Sequence, residues 1–163
     1  MFLIEGLGKY TFECGMIYFN SLLRSSILFA AETMYNVKEK EFREIERVEE
    51  DLLRKYFNTF KGCPIYMLYL ESGVIPARFA IKRMKLVFFR YILTQKEASL
   101  LYQFLLAQKN DPKQGDWYSE IKRILNKFEL DLSDEAIMMT KETIFKNLVK
   151  KKVLSAGLKY LTE

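Results

Sequence analysis

PIYMLYLESGVIPARFAIKRMKLVFFRYIL, residues 64–93, decides the fold, because it joins the chain's most apolar long run to its densest basic cluster. Two short apolar blocks, residues 66–70 and 74–75, flank Glu71-Ser72-Gly73. Pro76 then pre-sets the backbone at the mouth of a helix, where its missing N–H costs nothing, so the helix is expected to start near Ala77. From Phe79 to Leu93 apolar side chains fall on nearly every side of a 3.6-residue wheel, the pattern of a helix surrounded by protein. Arg78, Lys82 and Lys85 sit at i, i+4 and i+7, with Arg83 and Arg90 on a second line.

Outward from this stretch the pattern stays helical. Residues 1–11, punctuated by Gly6 and Gly8, form a short extended arm in this reading. Residues 12–34 read as one mostly buried helix. In residues 38–60, Phe42, Ile45, Val48, Leu52, Leu53 and Tyr56 recur at the 3-to-4 spacing of an amphipathic helix, opposite a solvated Glu/Arg face. Gly62 and Pro64 end it. Thr94 is the expected N-cap of a helix over residues 95–109, with Leu100, Leu101, Phe104 and Leu105 inward. Residues 110–115 form a loop. Asp116 is expected to cap a helix carrying Ile121, Ile124, Leu125 and Phe128, Ser133 a short helix, and Thr140 the last helix, where Ile144, Phe145, Leu148 and Val149 pack inward. The expected fold is therefore all-α, a compact array of about six or seven helices in one domain of 163 residues, with parts at 1–62, 63–110 and 111–163.

Composition narrows the chemistry. Half of the 163 residues are hydrophobic and 29% are charged, as in an ordered globular chain. With 26 Lys+Arg against 21 Asp+Glu the net charge is +5, which permits an anionic partner. There is no His, so no imidazole base, His metal ligand or Ser-His pair can be built. Cys14 and Cys63 alone cannot supply the four ligands of a structural zinc site, and they are read as reduced and buried. No window approaches the roughly 18 apolar residues of a membrane span, and no basic leader precedes the first apolar run; the expected location is intracellular, cytoplasm or nucleus.

The candidate chemistry is correspondingly sparse. Glu46, Glu49 and Glu50 crowd one or two turns, but they alternate with Arg43, Arg47 and Arg54, and charge pairing on a solvated face accounts for them. There is no Gly-rich phosphate loop, paired-Asp magnesium motif or nucleophile elbow, so neither catalytic residues nor a cofactor or metal is expected. Arg78, Lys82, Arg83, Lys85 and Arg90, interleaved with Phe88, Phe89 and Tyr91, are the candidate nucleic-acid-binding residues. The competing reading is a core helix whose Lys and Arg tips reach water. Lys146, Lys150, Lys151 and Lys152 form a secondary basic patch, a pattern that serves solubility more often than recognition.

One stretch carries a more specific signal. LLRKYFNTFKGCPIYMLYLESGVIPARFAIKRMKLVFFRYILTQ, residues 52–95, resembles the segment that follows the catalytic palm in reverse transcriptases of non-LTR retrotransposons. The matching positions include Leu68-Tyr69-Leu70-Glu71, Gly73, Pro76, Arg78-Phe79, Ile81, Arg83 and Tyr91-Ile92-Leu93. NSLLRSSILFAAETMYNV, with Arg24, Glu32 and Tyr35 in register, and AQKNDPKQGDW, residues 107–117, are similar to further family segments. Met34 stands where the family usually has Trp, Cys63 where Thr is frequent and Ala77 where Ile is common, as in a decayed or repurposed copy. The resemblance implies a thumb-and-linker fragment, without the palm aspartates or the endonuclease region, and no polymerase activity of its own. In that family such a region packs on the palm and helps hold the template-primer duplex. The implied partners are RNA or an RNA–DNA duplex, and a reverse transcriptase catalytic core or a second copy of the chain. The rival expectation is a helical protein-interaction module with no nucleic-acid role.

Overall fold

A computed structural model describes residues 12–162 apart from Gln114 and Asp131; the expected N-terminal arm lies outside the described residues. The fold is all-α, and no strand occurs among the described residues. The chain divides into two compact units, one from the described part of Met1–Phe29 with Glu39–Ala77, the other from Ala30–Lys38 with Arg78–Glu163.

In the first unit, α1 (Phe12–Tyr18) runs into a π-helical turn (Phe19–Arg24) and a last short piece, α2 (Ser25–Ile27). Polar side chains accompany the widened turn: Asn20 donates to the Met16 carbonyl, Ser21 to Ile17 and Ser26 to Leu22. The helix expected to reach Met34 stops at Ile27, and Ala30, in the second unit, takes a left-handed conformation (φ 55°). No Gly or Asn marks that break in the sequence.

Helix α3 (Glu39–Tyr56) forms where the spacing predicts it; of the expected inward set Phe42 and Leu53 are buried, Ile45, Leu52 and Tyr56 half-buried, and Val48 is exposed. Its end differs from expectation. Asn58 takes the left-handed position (φ 50°), with Asn58 N donating to Lys55 O and Thr59 N to Arg54 O, so the stop lies four residues before Gly62. Gly15 on α1 leaves room for the ring of Tyr56, since a Cβ there would lie 2.1 Å from its hydroxyl. Residues 65–72 form α4 (Ile65–Ser72), closed by Gly73 at φ 65°.

The second unit is built on α5 (Ala77–Leu93), which starts at the last residue of the first unit. Ile81, Leu86 and Phe89 are fully buried, each contributing about 1.5–3 kcal/mol of apolar burial. Phe89 packs at a tilt against Trp117 and Tyr118 of α7 (Trp117–Lys127), while Phe79 meets Tyr160 of α9 (Glu142–Thr162). Between them lie α6 (Leu100–Asn110) and α8 (Asp134–Met139).

Local chemistry sets these boundaries. Thr94 ends α5, its N–H bonded to Arg90 O, and Ser99 occupies the N-terminal boundary of α6. The inward set expected on α6 reduces to Leu105; Leu100, Leu101 and Phe104 are exposed. Asp116 sits at the N-cap position of α7, but its carboxylate accepts from Lys113 N, and Gln108 serves the first-turn N–H of Tyr118. Ser133 caps α8 as expected, accepting from Ala136 N at 3.2 Å. Thr140 closes α8 instead of capping α9, its hydroxyl donating to Ala136 O. On α9, Phe145 and Val149 are buried and Ile144 is exposed.

Candidate nucleic-acid interface

The five basic residues of α5 do not share one surface. Lys85 is fully buried, its Nζ 2.6 Å from Glu120 Oε1 on α7, and Glu120 also accepts from Asn36 N. Arg78 is buried with its guanidinium 5.0 Å from the Tyr160 ring centroid. Both are core cations held by named partners, which removes them from the stripe that the i, i+4, i+7 spacing outlines. Lys82 is half-buried with its ammonium 5.5 Å from the Phe79 ring. Arg83 is exposed and Arg90 half-buried.

Arg83 and Arg90 meet the secondary patch instead. A cavity of about 690 Å³ in the second unit is lined by Glu32, Arg83, Met84, Val87, Phe88, Arg90, Tyr91, Thr94, Glu142, Lys146, Asn147 and Lys150. Residues 83, 87, 90, 91 and 94 share one face of α5, and 142, 146 and 150 one face of α9. Each set has helical spacing, so each face was legible; that the two faces meet was not. Four cations against two carboxylates leave the lining net positive. Lys151 is exposed but does not line the cavity, and Lys152 is bound to Glu129 at 3.0 Å.

The internal bonding of the cavity is specific. Arg90 Nη2 donates to the Thr140 carbonyl at 2.7 Å, fixing the start of α9 to α5. Lys146 pairs with Glu142, and that hydrogen bond, with the charge of Arg90 behind it, holds the Glu142 carboxyl below its ordinary range. Phe88 and Tyr91 stack with centroids 6.0 Å apart and planes 17° from parallel; Tyr91 is about half exposed. Trp117 Nε1 donates to the Glu32 carbonyl at 2.9 Å, placing Glu32 at the cavity edge. Glu32, Glu142, Asn147, Phe88 and Tyr91 were not among the expected site residues.

A second polar cluster, in the first unit, overturns the reading of the α3 acids as a solvated face. Glu46 and Glu49 are buried. Glu49 Oε1 lies 2.8 Å from Arg24 Nε, Glu49 Oε2 accepts from the Tyr69 hydroxyl at 3.1 Å, and Arg24 Nη2 donates to the Ile75 carbonyl. Burial raises the Glu49 carboxyl, outweighing the lowering by Arg24 and by hydrogen bonds from Tyr69 and the Ala77 backbone. Each main partner has an evident structural purpose, and the cluster ties α3 and α4 to the π-helical turn.

Among the described residues neither cysteine forms a disulfide; Cys14 is exposed and Cys63 half-buried, so the expected burial fails for Cys14. Among the described residues no group of three or more His, Cys, Asp or Glu side chains is placed to hold a metal ion, and no helix is long and apolar enough to cross a membrane. No family model, curated protein or solved structure matches this chain.

Proposed function

We propose that this chain is a non-enzymatic helical module that binds a nucleic-acid phosphate backbone across the α5–α9 face of its second unit. The observation that carries the reading is the convergence of Arg83 and Arg90 with Lys146 and Lys150 on one cavity, from segments more than fifty residues apart. Converging cations at a concave face suit a polyanion, and the stacked, part-exposed Phe88–Tyr91 pair adds an aromatic platform. The resemblance to the thumb-and-linker segment of non-LTR reverse transcriptases supports an RNA–DNA duplex as partner. Titration of such a duplex at low salt tests the reading. Arg83→Ala and Lys150→Ala, both at exposed positions, should each weaken binding several-fold without changing helix content. No binding by the unaltered protein, or binding by both variants as tight as that of the unaltered protein, would refute it.

One observation favours a second role. Leu100, Leu101 and Phe104 leave an apolar strip of α6 open to solvent, at 88%, 40% and 56% exposure. As a protein-docking strip it would support self-association or contact with a catalytic core. Sedimentation should then show a concentration-dependent mass that Phe104→Glu abolishes; a constant monomer mass sinks that role.

A further inference from the structure

The same cavity contains two polar atoms that a phosphate backbone alone leaves unexplained. Glu32 Oε2 and Arg90 Nε are buried and have no hydrogen-bond partner, and both residues line it. A buried, unpartnered carboxylate oxygen is costly, and so is a buried guanidinium N–H. One demands a donor and the other an acceptor, at a site rimmed by exposed Lys146 and Lys150 and bordered by the Phe88–Tyr91 stack. A volume of about 690 Å³ lies within the usual range of small-ligand pockets.

We infer that this cavity is a nucleotide pocket that takes one unpaired base, with Glu32 and Arg90 reading its edge and Lys146 and Lys150 facing its phosphate. Guanine meets both demands with a donor to spare: its Watson–Crick edge sets two N–H donors for the Glu32 carboxylate beside the O6 acceptor for Arg90, whereas uracil offers that carboxylate a single N–H. Tyr91, half exposed beside Phe88, supplies the stacking face. The inference rests on the nucleic-acid reading above and deepens it, from a backbone grip to recognition of a base in a single strand.

Trp117 is the only tryptophan, its indole bonded to Glu32 and 5.9 Å from Phe88, so its fluorescence reports on the pocket. Guanosine 5′-monophosphate should shift that emission and bind at least about five-fold more tightly than the uridine nucleotide. Glu32→Gln should weaken the guanosine nucleotide about ten-fold and erase the preference. Tyr91→Ala, at an exposed position, should weaken both nucleotides together by about five-fold or more. Circular dichroism establishes that each variant is folded; should Glu32→Gln unfold, the preference of the unaltered protein and the Tyr91 effect still decide. Equal affinity for the nucleotides, or none, overturns the inference. If an RNA–DNA duplex still binds in a salt-dependent way, the backbone reading survives that failure; if it does not, both fall.

Discussion

Asp134 illustrates at the residue scale how one side chain can join three helices. Its Oδ1 lies 2.7 Å from Lys122 Nζ on α7 and its Oδ2 2.7 Å from Lys109 Nζ on α6, while the carboxylate itself opens α8. Burial by itself would raise this acid, but the hydrogen bonds from Lys109 and Lys122 outweigh it and hold the carboxyl below its ordinary value of 3.8. The lowered value means the native state favours the charged form. Its stability contribution is therefore fully present above the ordinary value and is lost as pH falls from there through the lower native-state titration. Asp134→Asn should cost about 1–2 kcal/mol near neutrality, since both lysines are partly solvated. Denaturant titrations of the two proteins should converge as the pH drops below that range; a gap of constant size would show that the charge is not responsible. The i, i+4, i+7 spacing of Arg78, Lys82 and Lys85 was legible, but the fate of Lys85 was not. Its partner Glu120 is thirty-five residues away, and pattern along one helix cannot locate it.

At the scale of elements, periodicity identified the helices better than residue type identified their ends. The helical rhythm of α3 and the buried side of α5, with Ile81, Leu86 and Phe89, came through because packing enforces both, whereas the all-round burial expected of α5 fails at Arg83 and Tyr91, which are exposed on the cavity face. The ends escaped partly because two left-handed positions, Ala30 and Glu129, use residues that announce nothing. Glu129 sits at φ 53° after α7, with Glu129 N donating to Asn126 O and Leu130 N to Leu125 O, the same closing pattern as at Asn58. The left-handed conformation is costly for a side chain bearing a Cβ, and the exposed pair with Lys152 offsets little of that. Glu129→Gly should raise the thermal midpoint by about 2–4 °C in calorimetry. A lowered midpoint would mean that the Lys152 pairing matters more than the backbone. The α6 strip makes the complementary point: leucine and phenylalanine at helical spacing imply a buried face, yet Leu100 and Phe104 have no cover within the described chain.

For the whole molecule, helical class was readable from composition and rhythm, whereas the site required the tertiary structure. Basic residues on α5 and α9 were each visible, but they belonged to separate groups in the sequence. Burial removed Lys85 and Arg78 from the surface, and packing of α9 on α5, fixed by Arg90 and Thr140, joined Arg83 and Arg90 to Lys146 and Lys150. Glu32 could not be found in advance, because the break after Ile27 that carries it to this unit lacks a Gly or Asn signal. The central claim is that the exposed cations of this cavity, Lys150 among them, meet phosphates. It is tested most directly by the slope of log affinity against log salt for an RNA–DNA duplex, measured for the unaltered protein and for Lys150→Ala. The predicted result is a negative slope that becomes shallower by about 0.7–0.9 in the variant, because one phosphate is no longer neutralised. Binding insensitive to salt, or the same slope in both proteins, would contradict it.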